Sequence, residues 1–276
     1  MNKLLNVSFS SLLLISTSVA YASDSMIKQY TYDMITQNVS KGFEPTTNSI
    51  KIDGSDIYVS YTTWADTEHS DYDGDDRVVR QNGLDYSATY GLSMRNRDHG
   101  GQLFDSHTID NSKADWKYDF DMVLFSFSEK VALTNTKFNY LTGASNENQL
   151  TVVGFDNINI FKNADSTVTT WEDIASSNAI TSITHKNIST NPTGLNKYEV
   201  TYPTLTEAKY WLVGAYNTFF DPNSSIDDIS GSGFKLASFG ISQAKEESIN
   251  EVSEPGALAL MSLGLGLVLY RRKRRV

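Results

Sequence analysis

The sequence predicts an all-β fold: a single antiparallel β-sandwich of jelly-roll type carrying one short helix. Three observations predict it. Short runs rich in Tyr, Thr, Val, Ile and Phe recur between residues 23 and 251. Clusters of Asn, Asp, Gly and Ser divide them, as turns divide strands. Helical signals are confined to one brief internal segment, and no repeat of fixed period interrupts the pattern.

The strands follow in order. The segments 28–35 (KQYTYDMI), 57–64 (IYVSYTTW) and 86–95 (YSATYGLSMR) come first. In 120–127 (FDMVLFSF), Met122 and Leu124 face one way while Val123, Phe125 and Phe127 face the other. Both faces are apolar, which predicts a strand buried on two sides. Then come 131–141 (VALTNTKFNYL), 150–161 (LTVVGFDNINIF) and 197–202 (KYEVTY). The segment 209–216 (KYWLVGAY) repeats the two-sided apolar pattern and places Trp211 in the core. The last strand is 234–242 (FKLASFGIS). The helix is expected at 171–177, N-capped by Thr170, with Glu172 and Asp173 in its first turn where acids suit the helix dipole. Asn191-Pro192 and Asp221-Pro222 mark turns.

With 23 basic and 33 acidic residues, the chain carries a formal charge of -10. The bases are unevenly placed. Five of them stand together as Arg271, Arg272, Lys273, Arg274 and Arg275, so the body is more acidic than the total implies. Such a surface repels nucleic acid and anionic lipid, and suits cations or basic partners. The absence of cysteine excludes disulfides, thiolate metal sites and cysteine nucleophiles.

Both ends read as addresses. Lys3, an apolar run from Leu4 to Ile15 and the small residues of Ala20-Tyr21-Ala22 have the form of a signal peptide cleaved after Ala22. At the other end, Val252-Ser253-Glu254-Pro255 precedes a charge-free run of 14 residues, Ala257 to Tyr270. As a helix that run covers roughly 21 Å, short of the ~30 Å hydrocarbon core of a bilayer. Arg271 to Arg275 then hold its end in the cytoplasm by the positive-inside rule. The segment stalls in a membrane but anchors weakly. Three parts follow: residues 1–22, 23–251 and 252–276.

This order of motif, short hydrophobic helix and basic tail resembles the PEP-CTERM sorting signal of Gram-negative bacteria. Ser253 stands where that motif usually has proline. The resemblance implies signal peptidase and exosortase as processing partners, transient residence in the inner membrane, and a final place at the cell surface or outside the cell. It also implies a link to exopolysaccharide and biofilm. Within the body, GLSMRNRD (91–98), HTIDN (107–111), DMVLFSFSEKVALTNTKFNYLTG (121–143), YWLVGAYN (210–217) and FKLAS (234–238) follow one another. Their order is similar to a family of exosortase-dependent surface proteins, a family defined by its sorting and not by an activity.

Two constellations carry possible chemistry. Asp71, Asp73, Asp75 and Asp76 surround Gly74. Alternating carboxylates on a turn suit calcium, although the spacing is not that of an EF-hand. The competing reading is a solvated acidic loop. The segment 96–111 gathers Arg97, Asp98, His99, His107, Asp110 and Asn111. A structural role is expected there: Asp110 and Asn111 in Asx-type turns, His107 on a backbone group. The structural role leaves room for a metal that ties the loop to the sheet; zinc binding or acid–base catalysis by His99 and His107 with a carboxylate is the lesser alternative. No nucleophile elbow, P-loop, zinc-protease or dinucleotide motif occurs.

The functional expectation is an exported, non-enzymatic cell-surface or matrix protein. A carbohydrate-binding module built on exposed aromatics is the second reading, and a secreted hydrolase the third.

Overall fold

In the computed structural model, residues 26–36, 49–67, 77–81, 84–94, 107–111, 113–114, 117–118, 120–143, 148–164, 169–190, 197–203, 206–224, 231–245 and 255–274 are described. The chain divides into two compact units. One is Ile27–Ala244; the other collects Met1–Met26 and Lys245–Val276.

The first unit is the antiparallel all-β body. Its early strands are β1 (Met26–Asp33), β2 (Ile50–Lys51), β3 (Tyr58–Thr67), β4 (Arg77–Gln81), β5 (Leu84–Ser87) and β6 (Gly91–Met94). Short pieces β7 (Ile109–Asp110), β8 (Lys113–Ala114) and β9 (Lys117–Tyr118) precede the long β10 (Asp121–Thr142). Then follow β11 (Gln149–Phe155), helices α1 (Asn159–Ala164) and α2 (Trp171–Ala175), β12 (Ile180–Asn187), β13 (Ser189–Thr190) and β14 (Tyr198–Thr201). The body closes with β15 (Ala208–Ala215), a 3-10 turn η1 (Thr218–Phe220) and β16 (Gly233–Lys245).

β10 organises everything. Its 22 residues extend to roughly 70 Å at ~3.3 Å each, far beyond an ordinary strand. It therefore serves two sheets in turn. Residues 121–127 pair with β3 on one side, and 122–126 with β15 on the other. From Ala132 onward the strand pairs with β16, and 135–138 pair with β14. Between these halves Ser128, Glu129 and Lys130 are exposed, and the register with β15 shifts between Ser126 and Val131. A strand that bends and changes sheets in this way makes a corner of a sandwich.

One sheet runs β12-β11-β15-β10-β3, with β2 and β4 both paired to β3. The other runs β13-β14-β10-β16, with β1, β6 and β7 along β16 and β5 outside β6. Between them lies the main core. Val123, Phe125, Phe127, Trp211 and Val213 meet Tyr32, Phe138, Phe234, Leu236 and Phe239 there. Phe239 sits 5.0 Å from Phe125 and 5.2 Å from Tyr32, ring centre to ring centre. Burying each such side chain stabilises the fold by about 1.5–3 kcal/mol.

A second core covers the outer face of the β12-to-β3 sheet. Met122, Leu124, Val153, Phe155 and Leu212 project there, under Phe161 of α1, Trp171 and Ile174 of α2, and Phe220 of η1. This explains the two-sided apolar pattern of 120–127 and 209–216: one face meets the other sheet, the opposite face meets the short helices.

The predicted helix forms at its expected cap. Thr170 accepts the amide of Asp173 at 3.2 Å, and Asp173 accepts the amide of Thr170 at 3.0 Å, a capping box. Four expectations need correction. The expected strand 150–161 stops at Phe155, and Asn159–Ala164 forms a second short helix. The expected strand 86–95 is a hairpin: β5 turns at Ala88–Tyr90 into β6, with Gly91 at φ +94°. The expected strands 120–127 and 131–141 are one, β10. β12 was not expected, because its half-exposed edge leaves little hydrophobic signal.

In the second unit the described part is helix α3 (Pro255–Lys273). Met261, Leu263, Leu265, Leu267, Val268 and Leu269 are each between 60% and 67% exposed. They point in all directions around the helix, so it has no buried stripe. No helix among the described residues is long and apolar enough to cross a membrane.

Candidate functional site

Of the predicted address residues, Ala20, Ala22, Val252, Ser253, Glu254 and Arg275 lie outside the described residues. Pro255 opens α3, Ala257 lies in its first turns, and Tyr270, Arg271, Arg272 and Lys273 form its last turn. The Arg274 guanidinium lies 5.5 Å from the centre of the Tyr270 ring. The proposed calcium ligands Asp71, Asp73, Asp75 and Asp76 also lie outside the described residues. Among the described residues no cluster of three or more carboxylates and histidines is placed to hold a metal ion.

The HTIDN stretch is a clamp. Asn111, buried, donates from Nδ2 to the Tyr216 carbonyl at 2.7 Å and accepts the Ser232 amide at 2.6 Å. Its own amide donates to the Ser232 carbonyl at 3.0 Å. It thus joins the end of β15 to the start of β16. The expectation of a local Asx turn is corrected: these partners stand more than a hundred residues away. His107 Nε2 lies 3.7 Å from Asp85 Oδ2. Asp110 is buried and accepts the Thr108 hydroxyl at 2.6 Å. Arg97, Asp98 and His99 lie outside the described residues. Trp64, Trp171 and Trp211 are all core, so none of these three offers a stacking platform.

The structure gathers a different site, which sequence reasoning missed. An open cleft of about 670 Å³ lies over β12. Ile183 of β12, 41% exposed, borders it. Glu172, Ala175 and Ser176 come from α2 and its end; Thr218, Phe219 and Phe220 come from η1; Asp221, Pro222 and Ser224 come from the following turn.

The η1 side is tied down at every step. Asn217 caps η1 by accepting the Phe219 amide at 3.0 Å, and its own amide reaches the Thr151 hydroxyl at 2.9 Å. His185, two residues beyond Ile183, holds the same wall. Its Nε2 lies 3.2 Å from the Phe220 carbonyl and its Nδ1 3.0 Å from the Thr151 hydroxyl. Since a carbonyl only accepts, Nε2 carries the proton and Nδ1 accepts from Thr151. Burial holds the His185 imidazole below its ordinary 6.5, against the opposing pull of the Phe220 carbonyl and the Asp221 charge. The Tyr216 ring stands edge-on to His185, centres 5.2 Å apart, and its hydroxyl donates to Asp221 Oδ2 at 2.9 Å. Asp221 Oδ1 accepts the Asn223 amide at 3.0 Å. The Asn223 amide and then the Tyr216 hydroxyl keep the Asp221 carboxyl below its usual range, so it stays ionised.

Chemically, this is a rigid, open, acidic cleft with apolar and hydroxyl surface in its lining. Asp221-Pro222 was legible as a turn, but nothing in the sequence marks His185 or Glu172 as its neighbours. No known protein family, curated protein or solved structure matches the chain.

Proposed function

We propose that the chain is an exported, non-enzymatic protein of a bacterial cell surface or matrix, sorted by an exosortase through residues 252–276. One observation carries the reading. Glu254-Pro255 leads into a helix that is apolar on every side, ends in Arg271, Arg272 and Lys273, and is too short in its apolar part to span a bilayer. A water-exposed helix of a globular protein keeps a polar face; this one has none before Arg271. A bilayer is the environment that satisfies it, and its brevity suits transfer to an enzyme better than permanent anchoring.

The compact acidic body fits the same reading. It is a large β-sandwich without cysteine, stable through its two cores and able to stand outside the cell without disulfides. The test compares the full chain with a chain ending at Glu251 in an exosortase-bearing Gram-negative host. The truncated chain is expected to leave the cytoplasm, fold, and be lost from the cell surface into the medium. Equal surface retention of both chains would overturn the sorting role.

A further inference from the structure

We propose that the cleft between α2 and η1 is a binding site for a saccharide that carries a free amino group. The assignment stands on the cleft alone and is independent of how the chain is exported.

The sign of the ligand comes first. Glu172 and Asp221 border the cleft, and no Lys, Arg or His is among its lining residues that are described. An anionic ligand is repelled there, and a cation is drawn in. Ionised carboxylates only accept hydrogen bonds, so the ligand must bring donors. Asp221 already takes the Tyr216 hydroxyl and the Asn223 amide, which fix its orientation without neutralising it. Glu172 is exposed on the opposite wall and its neighbour Asp173 does the capping, so the Glu172 side chain is not spent on the helix.

The rest of the lining selects among cations. Ile183, Phe219 and Pro222 bring aliphatic and ring side chains to the lining, while Ser176, Thr218 and Ser224 are its hydroxyl-bearing residues. A pyranose has an apolar C–H face and a hydroxyl edge, and an amino sugar adds an ammonium group. It engages all three kinds of lining at once. A lysine side chain engages the carboxylates and leaves the hydroxyls unused. The volume is within the range of small-molecule sites. The wall formed by Thr218 to Ser224 is held by the bonds of Asn217, His185, Tyr216 and Asp221, so binding requires little ordering of the loop.

Calorimetric titration of the purified full chain in detergent, at low salt, tests the proposal. The probes are the β-1,4 tetramers of glucosamine, N-acetylglucosamine and glucose, with tetralysine as the peptide control. The glucosamine tetramer is expected to bind at least about tenfold more tightly than the other three, the worth of one ammonium–carboxylate contact combined with a fitted ring. Glu172→Gln is expected to weaken it about fivefold or more, and Ile183→Lys to abolish it. Both positions are exposed, and an unchanged melting temperature verifies that each variant folds. No binding of the glucosamine tetramer overturns the proposal. So does equal binding of tetralysine or of either uncharged sugar, or binding that neither substitution alters.

Discussion

Asn111 and His185 are the side chains on which the corner near the cleft depends. Each bonds to backbone groups from distant stretches of chain. Truncating Asn111 would strand a buried carbonyl and a buried amide, a loss of about 2–4 kcal/mol. Asn111 stood out in the sequence as a turn former, but its true partners, Tyr216 and Ser232, are invisible without the fold. His185 carried no motif at all. Its pH behaviour follows from its surroundings. Burial lowers its proton affinity in the folded protein, so the unfolded chain takes up the proton first. The stability contributed by neutral His185 is complete above the ordinary 6.5 and is lost as pH falls below it. Urea unfolding between pH 7.5 and 5 should show stability falling with acid more steeply in the native sequence than in His185→Gln. Parallel slopes would contradict the arrangement. Asp221, whose shift runs downward from 3.8, supports the fold throughout that range and does not confuse the reading.

At the scale of elements, the segments buried on both faces were the most legible, because Val, Leu, Phe and Trp leave no polar stripe in residues 121–127 of β10 or in β15. Joints were less legible. Nothing in Ser128-Glu129-Lys130 distinguishes a bend within one strand from a loop between two; only the pairing of its two halves with different sheets does. The expected strand runs on to Phe161 because Ile158 and Ile160 continue the β-branched pattern, whereas packing of Phe161 against Trp64 and Phe155 favours the helix. The β5–β6 hairpin rests on Gly91. Its φ of +94° suits glycine, and a Cβ at that position would collide with the Leu236 carbonyl of β16. Gly91→Ala is expected to destabilise the protein by about 2 kcal/mol or more, with faster amide exchange concentrated in β5, β6 and the facing part of β16. A loss below about 0.5 kcal/mol would mean that the turn is not held as described.

For the whole molecule, legibility follows the order of information along the chain. The addresses are linear: signal-like residues 1–22 and the motif, apolar run and arginines of 252–276 are each read from adjacent positions. The cleft draws on α2, β12 and η1, segments spread from residue 172 to 224, and no local pattern announces it. The proposed export and sorting therefore come from the ends, and the proposed ligand chemistry from the folded body. Sorting is the central claim, and it makes a covalent prediction. Intact-mass measurement of the protein recovered from the surface of the producing cell should give a chain that has lost Tyr270 and the arginines after it, with its new end near Glu254-Pro255. Recovered protein that still carries Tyr270 through Arg275 would contradict the account and make α3 a lasting part of the mature chain.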